Sequence, residues 1–187
     1  MPTFRRCDDS VPAMARELMR RFETHAPLLD ARVNIDFVFA FGDRDEVTGE
    51  LTSGALKKNG VKALGIARKL PPKDRALGRA DAEIALDGDD WQDSNEDERR
   101  ALLDHELHHL VPTGKTDDMD RPMLKLRPHD FEFGWFKVIA ARHGVASQER
   151  IQAKAVMDDA GQYFWPAMSQ DLSGQTRIQK MELKGPR

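Results

Sequence analysis

Two histidines four residues apart constrain this chain more than any other feature, because they stand inside a segment with strong helix signals. Asn95 is a favourable N-cap, and Glu98, three residues later, completes a capping box with it. The helical pattern continues until a proline and a glycine interrupt it, which predicts a helix over about 96–111. Residues four apart on a helix differ by about 40° in azimuth, so His105 and His109 stack on one face.

The residues around this pair divide the predicted helix into three faces. With His105 set at zero, Glu106 lies at about 100°, beside the edge formed by the two histidines. A leucine arc follows, made of Leu102, Leu103, Leu107 and Leu110. The third face is polar, and we expect Asp104 and His108 to form an exposed i, i+4 ion pair there. The alternative for His108 is a ligand role together with His105, three residues earlier.

Residues 105–109 read H-E-L-H-H and contain the H-E-x-x-H pattern of zinc hydrolases. Chance produces roughly 0.01 such matches in a chain of this composition, which argues against reading these residues as plain helix surface. Two stacked imidazoles reach one cation, which polarises a water molecule and lowers its pKa. A glutamate in this position takes a proton from that water and returns it to the leaving amine. The pattern therefore predicts peptide-bond hydrolysis, with His105 and His109 as Zn²⁺ ligands and Glu106 as general base.

A catalytic zinc ion needs a third protein ligand and one open position. The metzincin continuation is excluded, because Pro112 and Lys115 stand where that motif has glycine and histidine. His129 is the leading candidate, since it follows a proline and precedes a predicted helix, whose start can lie beside the zinc helix. Glu132 is the main rival, because some zincins take a glutamate from a following helix. Asp130 is the remaining candidate, although it suits the N-cap of that helix better.

No oxyanion stabiliser stands out. Tyr163 is the only tyrosine and Arg127 lies near the third-ligand candidate, but a structural role is the simpler interpretation of each. His25 lies where a helix is predicted to stop, and we interpret it as a solvated helix end or a packing residue. His143 lies at another helix end, where a basic residue complements the helix dipole.

Periodicity elsewhere predicts an α+β fold, with a small mixed or antiparallel sheet packed on the motif helix. Predicted strands span 33–41, 61–70, 80–86 and a short piece at 123–126, and predicted helices span about 10–25, 131–143 and 147–163. We interpret 87–94 as a turn. Alternation in 80–86 places Asp81 and Glu83 on one face, which predicts a half-exposed edge strand able to bind an extended peptide by main-chain pairing.

Charge balance and cysteine content exclude several protein classes. The formal net charge of −3 lacks the basic excess of a dedicated nucleic-acid binder, so nucleic acid is not expected as a direct ligand. Cys7 is the single cysteine, which rules out an intrachain disulfide and a cysteine-based zinc site. The longest purely apolar run, 37–41, is too short to cross a bilayer, and the N-terminus lacks a signal-peptide core. We expect a cytoplasmic protein with a protein or peptide substrate.

Further stretches of the chain carry a family resemblance. They are the motif stretch 105–109, the Pro-His-Asp-Phe-Glu-Phe stretch 128–133, the Arg-His-Gly helix end 142–144 and the aromatic stretch 37–43. Together they resemble the phage metallopeptidases, a small group related in pattern to SprT-like zinc proteases. The resemblance covers about 10–145 and implies a minimal zincin fold, a Zn²⁺ cofactor and a bacterial host infected by or lysogenic for a phage. It also implies that a histidine at the start of the following helix, here His129, is the third ligand.

We interpret the chain as a single metallopeptidase-like domain over 1–187, with its core at about 10–165 and a polar C-terminal extension at 166–187. The oligomeric state is left open by the sequence. The alternative function is a zinc-binding regulatory or interaction protein of the same fold without turnover. A fourth protein ligand in the open position, for instance His108 or Asp130, would favour that alternative, because structural zinc usually has four protein ligands.

Overall fold

A four-stranded mixed sheet forms the centre of the fold. The structure is a computed structural model that describes residues 2–58, 60–129 and 136–154. Its strands are β1 (Thr3–Arg6), β2 (Ile35–Phe41), β3 (Lys57–Lys58), β4 (Val61–Lys62), β5 (Gly65–Lys69), β6 (Ala82–Asp87), β7 (Leu110–Thr116) and β8 (Pro122–Leu126). The sheet has the order β1-β2-β6-β5, in which β2 and β6 are parallel and both outer pairs are antiparallel. Two separate antiparallel hairpins are formed by β3 with β4 and by β7 with β8.

Helices surround this sheet and confirm the α+β class. They are α1 (Ser10–Arg21), α2 (Ala26–Asp30), α3 (Pro72–Ala76), α4 (Gly88–Asp93), α5 (Glu96–His109) and α6 (Lys137–His143), and residues 148–154 are helical as well. Short 3₁₀ turns at Glu23–His25 and Gly144–Ala146 join some of them. Within the described ranges, no helix has both the length and the apolar character that a membrane span requires.

Helices α1 and α5 cover one face of the sheet with apolar side chains. The buried cluster joins Leu18 of α1, Leu103 and Leu107 of α5, and Ile84 and Leu86 of β6, each at most 1% exposed. The predicted leucine arc is therefore the core face of α5. Full burial of one leucine side chain contributes about 1.5–3 kcal/mol, so this packing sets the rotation of α5 and with it the direction of the histidine face.

The predicted capping box begins α5 as expected. The Asn95 side chain accepts from the amide of Glu98 at 3.0 Å, and the Glu98 carboxylate accepts from the amide of Asn95 at 3.0 Å. The helix ends at His109 rather than near 111, because Leu110 adopts extended backbone and begins β7. The proline expected to stop the helix, Pro112, lies inside β7 instead.

The prediction of an exposed edge strand at 80–86 is wrong. Strand β6 lies between β2 and β5, and all six of its residues are buried. The acidic residues of this stretch are buried because guanidinium groups neutralise them. Arg79 Nη2 lies 2.6 Å from Glu83 Oε2, and Arg121 Nη2 lies 2.8 Å from Oδ1 of Asp81, the residue just before β6. The alternating acidic residues Asp81 and Glu83 are therefore members of buried ion pairs rather than solvent-exposed side chains. The sheet edge beside α5 is β5.

Other differences from the predicted elements are local. The strand at 61–70 is two strands, β4 and β5, and the turn at 87–94 contains α4, capped by the Asp87 side chain. The edge strand β1 and the hairpin strand β7 carry no alternation that predicts them. The Ser10 helix and the strand at 33–41 are confirmed, with bounds that differ by a few residues.

Residues 1–153 form one compact unit, and 154–187 are assigned to a second. Several predictions lie outside the described residues: the N-cap Asp130, the rival ligand Glu132, Tyr163, and the helix and tail beyond 154. The interpretation of 1–187 as one domain stays a prediction.

Candidate metal centre

Helix α5 presents two imidazole rings toward the same point. The ring centroids of His105 and His109 are 5.1 Å apart, as expected for stacked positions one turn apart. Both residues lie in the last turns of the helix, where Leu107 anchors the opposite side in the core. The spacing in the sequence therefore produces the predicted pairing of rings.

The hairpin of β7 and β8 carries a third imidazole to this pair. The Arg127 amide donates to the His109 carbonyl at 2.7 Å, which ties the end of β8 to the end of α5. Two residues later, the ring of His129 lies 4.7 Å from that of His109 and 5.1 Å from that of His105. One ring nitrogen from each of the three histidines lies within 4.8 Å of the other two.

The hydrogen bonds on the outer ring nitrogens leave the inner ones available as ligands. His109 Nδ1 lies 2.8 Å from the carbonyl oxygen of Arg127, and His105 Nδ1 lies 2.5 Å from Oε1 of Glu149. A carbonyl or carboxylate oxygen only accepts, so each Nδ1 carries a proton, and Nε2 is the nitrogen that can offer a lone pair to a cation. The Nε2 atoms of His105 and His129 are 3.1 Å apart, close to the roughly 3.3 Å that tetrahedral Zn–N bonds impose.

Glu106 is buried beside the three rings, against strand β5. It is 3% exposed and is hydrogen-bonded to the backbone of Ala67, while its Oε2 atom has no partner within the described residues. A Cβ atom on Gly65 would lie 2.7 Å from Glu106 Oε1, so glycine is required for this close approach. Three converging imidazole nitrogens and a buried carboxylate oxygen without a donor fit a divalent cation and its water.

A comparison with protein families identifies the family of this chain. The family model described as Putative phage metallopeptidase matches residues 4–160. The chain belongs to this family. No curated protein and no solved structure matched the chain. The resemblance stated from the sequence is thus confirmed, and the mixed sheet with its flanking helices is consistent with the small zincin-like fold of a phage metallopeptidase. Membership of the family also implies a bound metal ion, and the three histidines lie close enough to hold one.

In this family member, burial and nearby charges set the protonation of the centre. Burial lowers the pKa of His109 to about 3, so that ring is neutral near pH 7. Burial also lowers the pKa of His105, but the Glu149 hydrogen bond and the charge of Glu106 outweigh it and the net pKa is raised. Burial raises the pKa of Glu106 as well. Glu106 and Glu149 both lie beside His105, so two acidic side chains act on one of the three rings.

The exposed pair predicted between Asp104 and His108 is wrong, because both residues are buried. The Arg127 guanidinium lies 2.5 Å from His108 Nε2, and burial together with that positive charge lowers the pKa of His108 to about 4. His108 is not part of the three-ring cluster, and Arg127 has this structural contact rather than a demonstrated oxyanion role.

Asp104 instead contacts basic side chains from two other segments. His25 Nε2 lies 2.5 Å from Asp104 Oδ1, His143 Nε2 lies 2.7 Å from its Oδ2, and Arg142 Nη1 lies 3.0 Å from Oδ1. Asp104 is fully buried, and hydrogen bonds from the two histidines outweigh burial and hold its pKa well below the usual range. His25 is therefore a buried partner rather than a solvated helix end, and His143 binds a carboxylate in addition to ending α6.

Two features of the centre were not predicted from the sequence. Phe136 is fully buried, and its ring centroid lies 4.7–4.8 Å from those of His105, His108, His109 and His129. No local pattern marks it, since it was one apolar residue among several on a predicted helix. The contact of Glu149 with His105 was also missed, and its only local signal is the helix start at Ser147 just before it.

Proposed function

We propose that this chain is a zinc-dependent peptidase in which His105, His109 and His129 hold the ion and Glu106 is the general base. The observation that carries the proposal is the convergence of three ring nitrogens within 4.8 Å beside a buried carboxylate with a partnerless oxygen. The choice of zinc rests on the H-E-x-x-H spacing, because imidazole ligands alone also suit other divalent ions. When bound, Zn²⁺ supplies a Lewis acid that polarises the scissile carbonyl and makes a water molecule more acidic.

Glu106 moves the proton in this proposal. Its raised pKa brings the carboxylate closer to the range in which it both accepts and returns a proton near neutral pH. Oε1 is held against the backbone of β5, whereas Oε2 has no protein donor in the described part of the chain. Oε2 therefore takes the proton of the attacking water and later delivers it to the leaving amine.

Strand β5 is the place where we propose that the substrate pairs. One of its sides is paired with β6, and the other is paired with no strand within the described ranges. Gly65 at its start contacts Glu106, so a peptide lying along β5 passes the general base. Main-chain pairing of this kind binds an extended peptide with little dependence on side chains. This assignment replaces the rejected one for β6.

The alternative of a structural or regulatory zinc site requires a fourth protein ligand. Among the described residues the metal cluster contains three histidines, and His108 faces the Arg127 guanidinium instead. Three ligands with one open position are the arrangement of catalytic zinc. The three-histidine cluster of the described residues therefore supports turnover over a purely structural ion, while Asp130, the other candidate for a fourth ligand, lies outside those residues.

The test combines metal analysis with a matched pair of substitutions. The purified full chain should hold about one zinc per molecule and cleave a mixed peptide library. Glu106→Gln should retain the zinc and lower kcat by roughly 100-fold or more, since the general base is lost. Glu96→Gln, on the exposed first turn of the same helix, should change neither property.

Two outcomes would contradict the proposal. Wild-type protein that binds zinc tightly but cleaves nothing in the library would favour the regulatory alternative. Glu106→Gln protein that keeps full cleavage would remove Glu106 from the mechanism.

A further inference from the structure

We infer that Glu149 is a positioning residue whose negative charge orients His105 and strengthens it as a ligand. This inference rests on the metal centre proposed above. Glu149 Oε1 lies 2.5 Å from His105 Nδ1, on the side of the ring that faces away from the other two histidines. Glu149 stands 44 residues after His105 in the chain, so the contact is tertiary and belongs to no local motif.

Burial makes the negative charge of Glu149 costly unless a positive charge balances it. Glu149 is 3% exposed, and its Oε2 atom has no hydrogen-bond partner in the described ranges. Its ion-pair partner there is the His105 ring, and no arginine or lysine of these ranges forms an ion pair with it. In the metal-free protein a doubly protonated His105 ring can balance this carboxylate, whereas a ring that binds a cation through Nε2 is itself neutral. A divalent cation on the far nitrogen of that imidazole supplies the missing positive charge.

A helix cap and the anchoring of helix α6 fix the position of Glu149. Ser147 is fully buried, and its Oγ accepts from the Arg150 amide at 3.3 Å, which caps the helical residues 148–154. Glu149 therefore lies in the first turn of that stretch. The preceding helix α6 is fixed to α5 by Arg142 and His143, which both bind Asp104, the residue just before His105.

The two motif histidines consequently have different outer partners. His109 Nδ1 donates to a neutral carbonyl, that of Arg127, whereas His105 Nδ1 donates to a carboxylate. Carboxylate partners of this kind fix the tautomer of a metal-ligating histidine and raise its basicity. The asymmetry predicts that His105 forms the stronger bond to the cation and that this strength depends on Glu149.

The experiment measures zinc affinity and folding separately on the full chain. Glu149→Gln keeps the shape and an accepting oxygen but removes the charge, and Glu149→Ala removes both. Arg150→Ala is the matched control, because its side chain is exposed on the same turn. Zinc Kd is measured by competition with a chelator, and thermal unfolding is measured on the metal-free protein.

We expect Glu149→Gln to weaken zinc binding about 10-fold and Glu149→Ala up to about 100-fold, with metal-free stability maintained in Glu149→Gln. Proton NMR of the zinc-loaded protein adds a signature that general packing would not move. The His105 Nδ1 proton should exchange slowly with water in the wild type and rapidly in Glu149→Ala.

Failure of this inference is distinguishable from failure of the proposed metal centre. Wild-type protein that binds no zinc would overturn both. If the wild type binds zinc and the folded Glu149→Gln variant binds it within twofold, only the inference about Glu149 is overturned. A loss of affinity in Glu149→Ala that merely parallels unfolding, with Glu149→Gln unaffected, would also overturn it.

Discussion

Helix α5 takes part in two histidine clusters that differ in what their rings face. At one, His25 and His143 surround the carboxylate of Asp104 together with Arg142. At the other, one ring nitrogen from each of His105, His109 and His129 lies within 4.8 Å of the other two. The first cluster is therefore satisfied by its own side chains, whereas the second matches the metal ion that membership of the family implies.

The number of histidines in a cluster therefore does not identify a metal site. Asp104 and His105 are adjacent in the chain and both are largely buried, yet one serves as an acceptor and the other as a ligand candidate. What separates the two clusters is what the rings face: the Asp104 carboxylate in the first and one another in the second. Each of the following predictions tests that separation.

The largest expected effect is on zinc content. His129→Ala removes one of three converging nitrogens and should reduce bound zinc from about one per chain to nearly none after dialysis. His143→Ala alters the Asp104 cluster and should leave the zinc content unchanged. Elemental analysis of both variants checks this, and equal zinc loss in the two would erase the distinction between the clusters.

Asp104→Ala should be the most destabilising of the substitutions that we consider. It leaves the Arg142 guanidinium partly buried and without its anion, and breaking a buried pair in this way costs about 3–5 kcal/mol. Asp97→Ala, in the exposed first turn of α5, is the control and should cost much less. Urea unfolding of the metal-free proteins measures both. A loss below about 1 kcal/mol for Asp104→Ala would show that the cluster is not a stabilising centre.

Acid should weaken the metal-free protein through His108. Its folded pKa of about 4 lies below the ordinary value, so the unfolded chain binds a proton that the folded protein does not. The contribution of the neutral His108 ring to the free energy of unfolding is fully present above about pH 6.5. It is lost as the pH falls toward 4, by up to about 3 kcal/mol. Asp104 titrates below this window, because its pKa is held low.

The check is the unfolding free energy of the wild type and His108→Gln at pH 7 and pH 4.5. The variant should lose less stability between these pH values, because the titrating ring is gone. An equal slope in both proteins would refute the depressed pKa of His108.

Gly65→Ala should have the smallest effect on folding but a clear effect on activity. The added Cβ would lie 2.7 Å from Glu106 Oε1, so the carboxylate or the strand must shift, at a cost of about 1–3 kcal/mol. Gly54→Ala is the matched control, since its Cβ would meet nothing closer than 3.5 Å. We expect peptide cleavage to fall for Gly65→Ala with zinc retained. Full activity in that variant would show that Glu106 does not need this position.

Local sequence patterns predicted the part of the candidate site that lies on helix α5. The capping box of Asn95 and Glu98 and the i, i+4 spacing of His105 and His109 involve only neighbours in the chain, so sequence alone predicted their arrangement. His129 was favoured because it precedes a predicted helix start, and the structure places it instead two residues after an unpredicted tie of Arg127 to the end of α5.

The remaining contacts needed the tertiary structure, because they join residues far apart in the chain. Asp104 meets His25 across 79 residues, and His105 meets Glu149 across 44. Charge alternation predicted exposure of residues 80–86, but Arg68 and Arg121 from other segments pair with the buried carboxylates of Glu83 and Asp81. The sequence by itself determined which helix face bears the H-E-x-x-H side chains. Only the packing of distant segments decided which histidines surround the Asp104 carboxylate and which converge on one another, because those contacts depend on neighbours that no local spacing encodes.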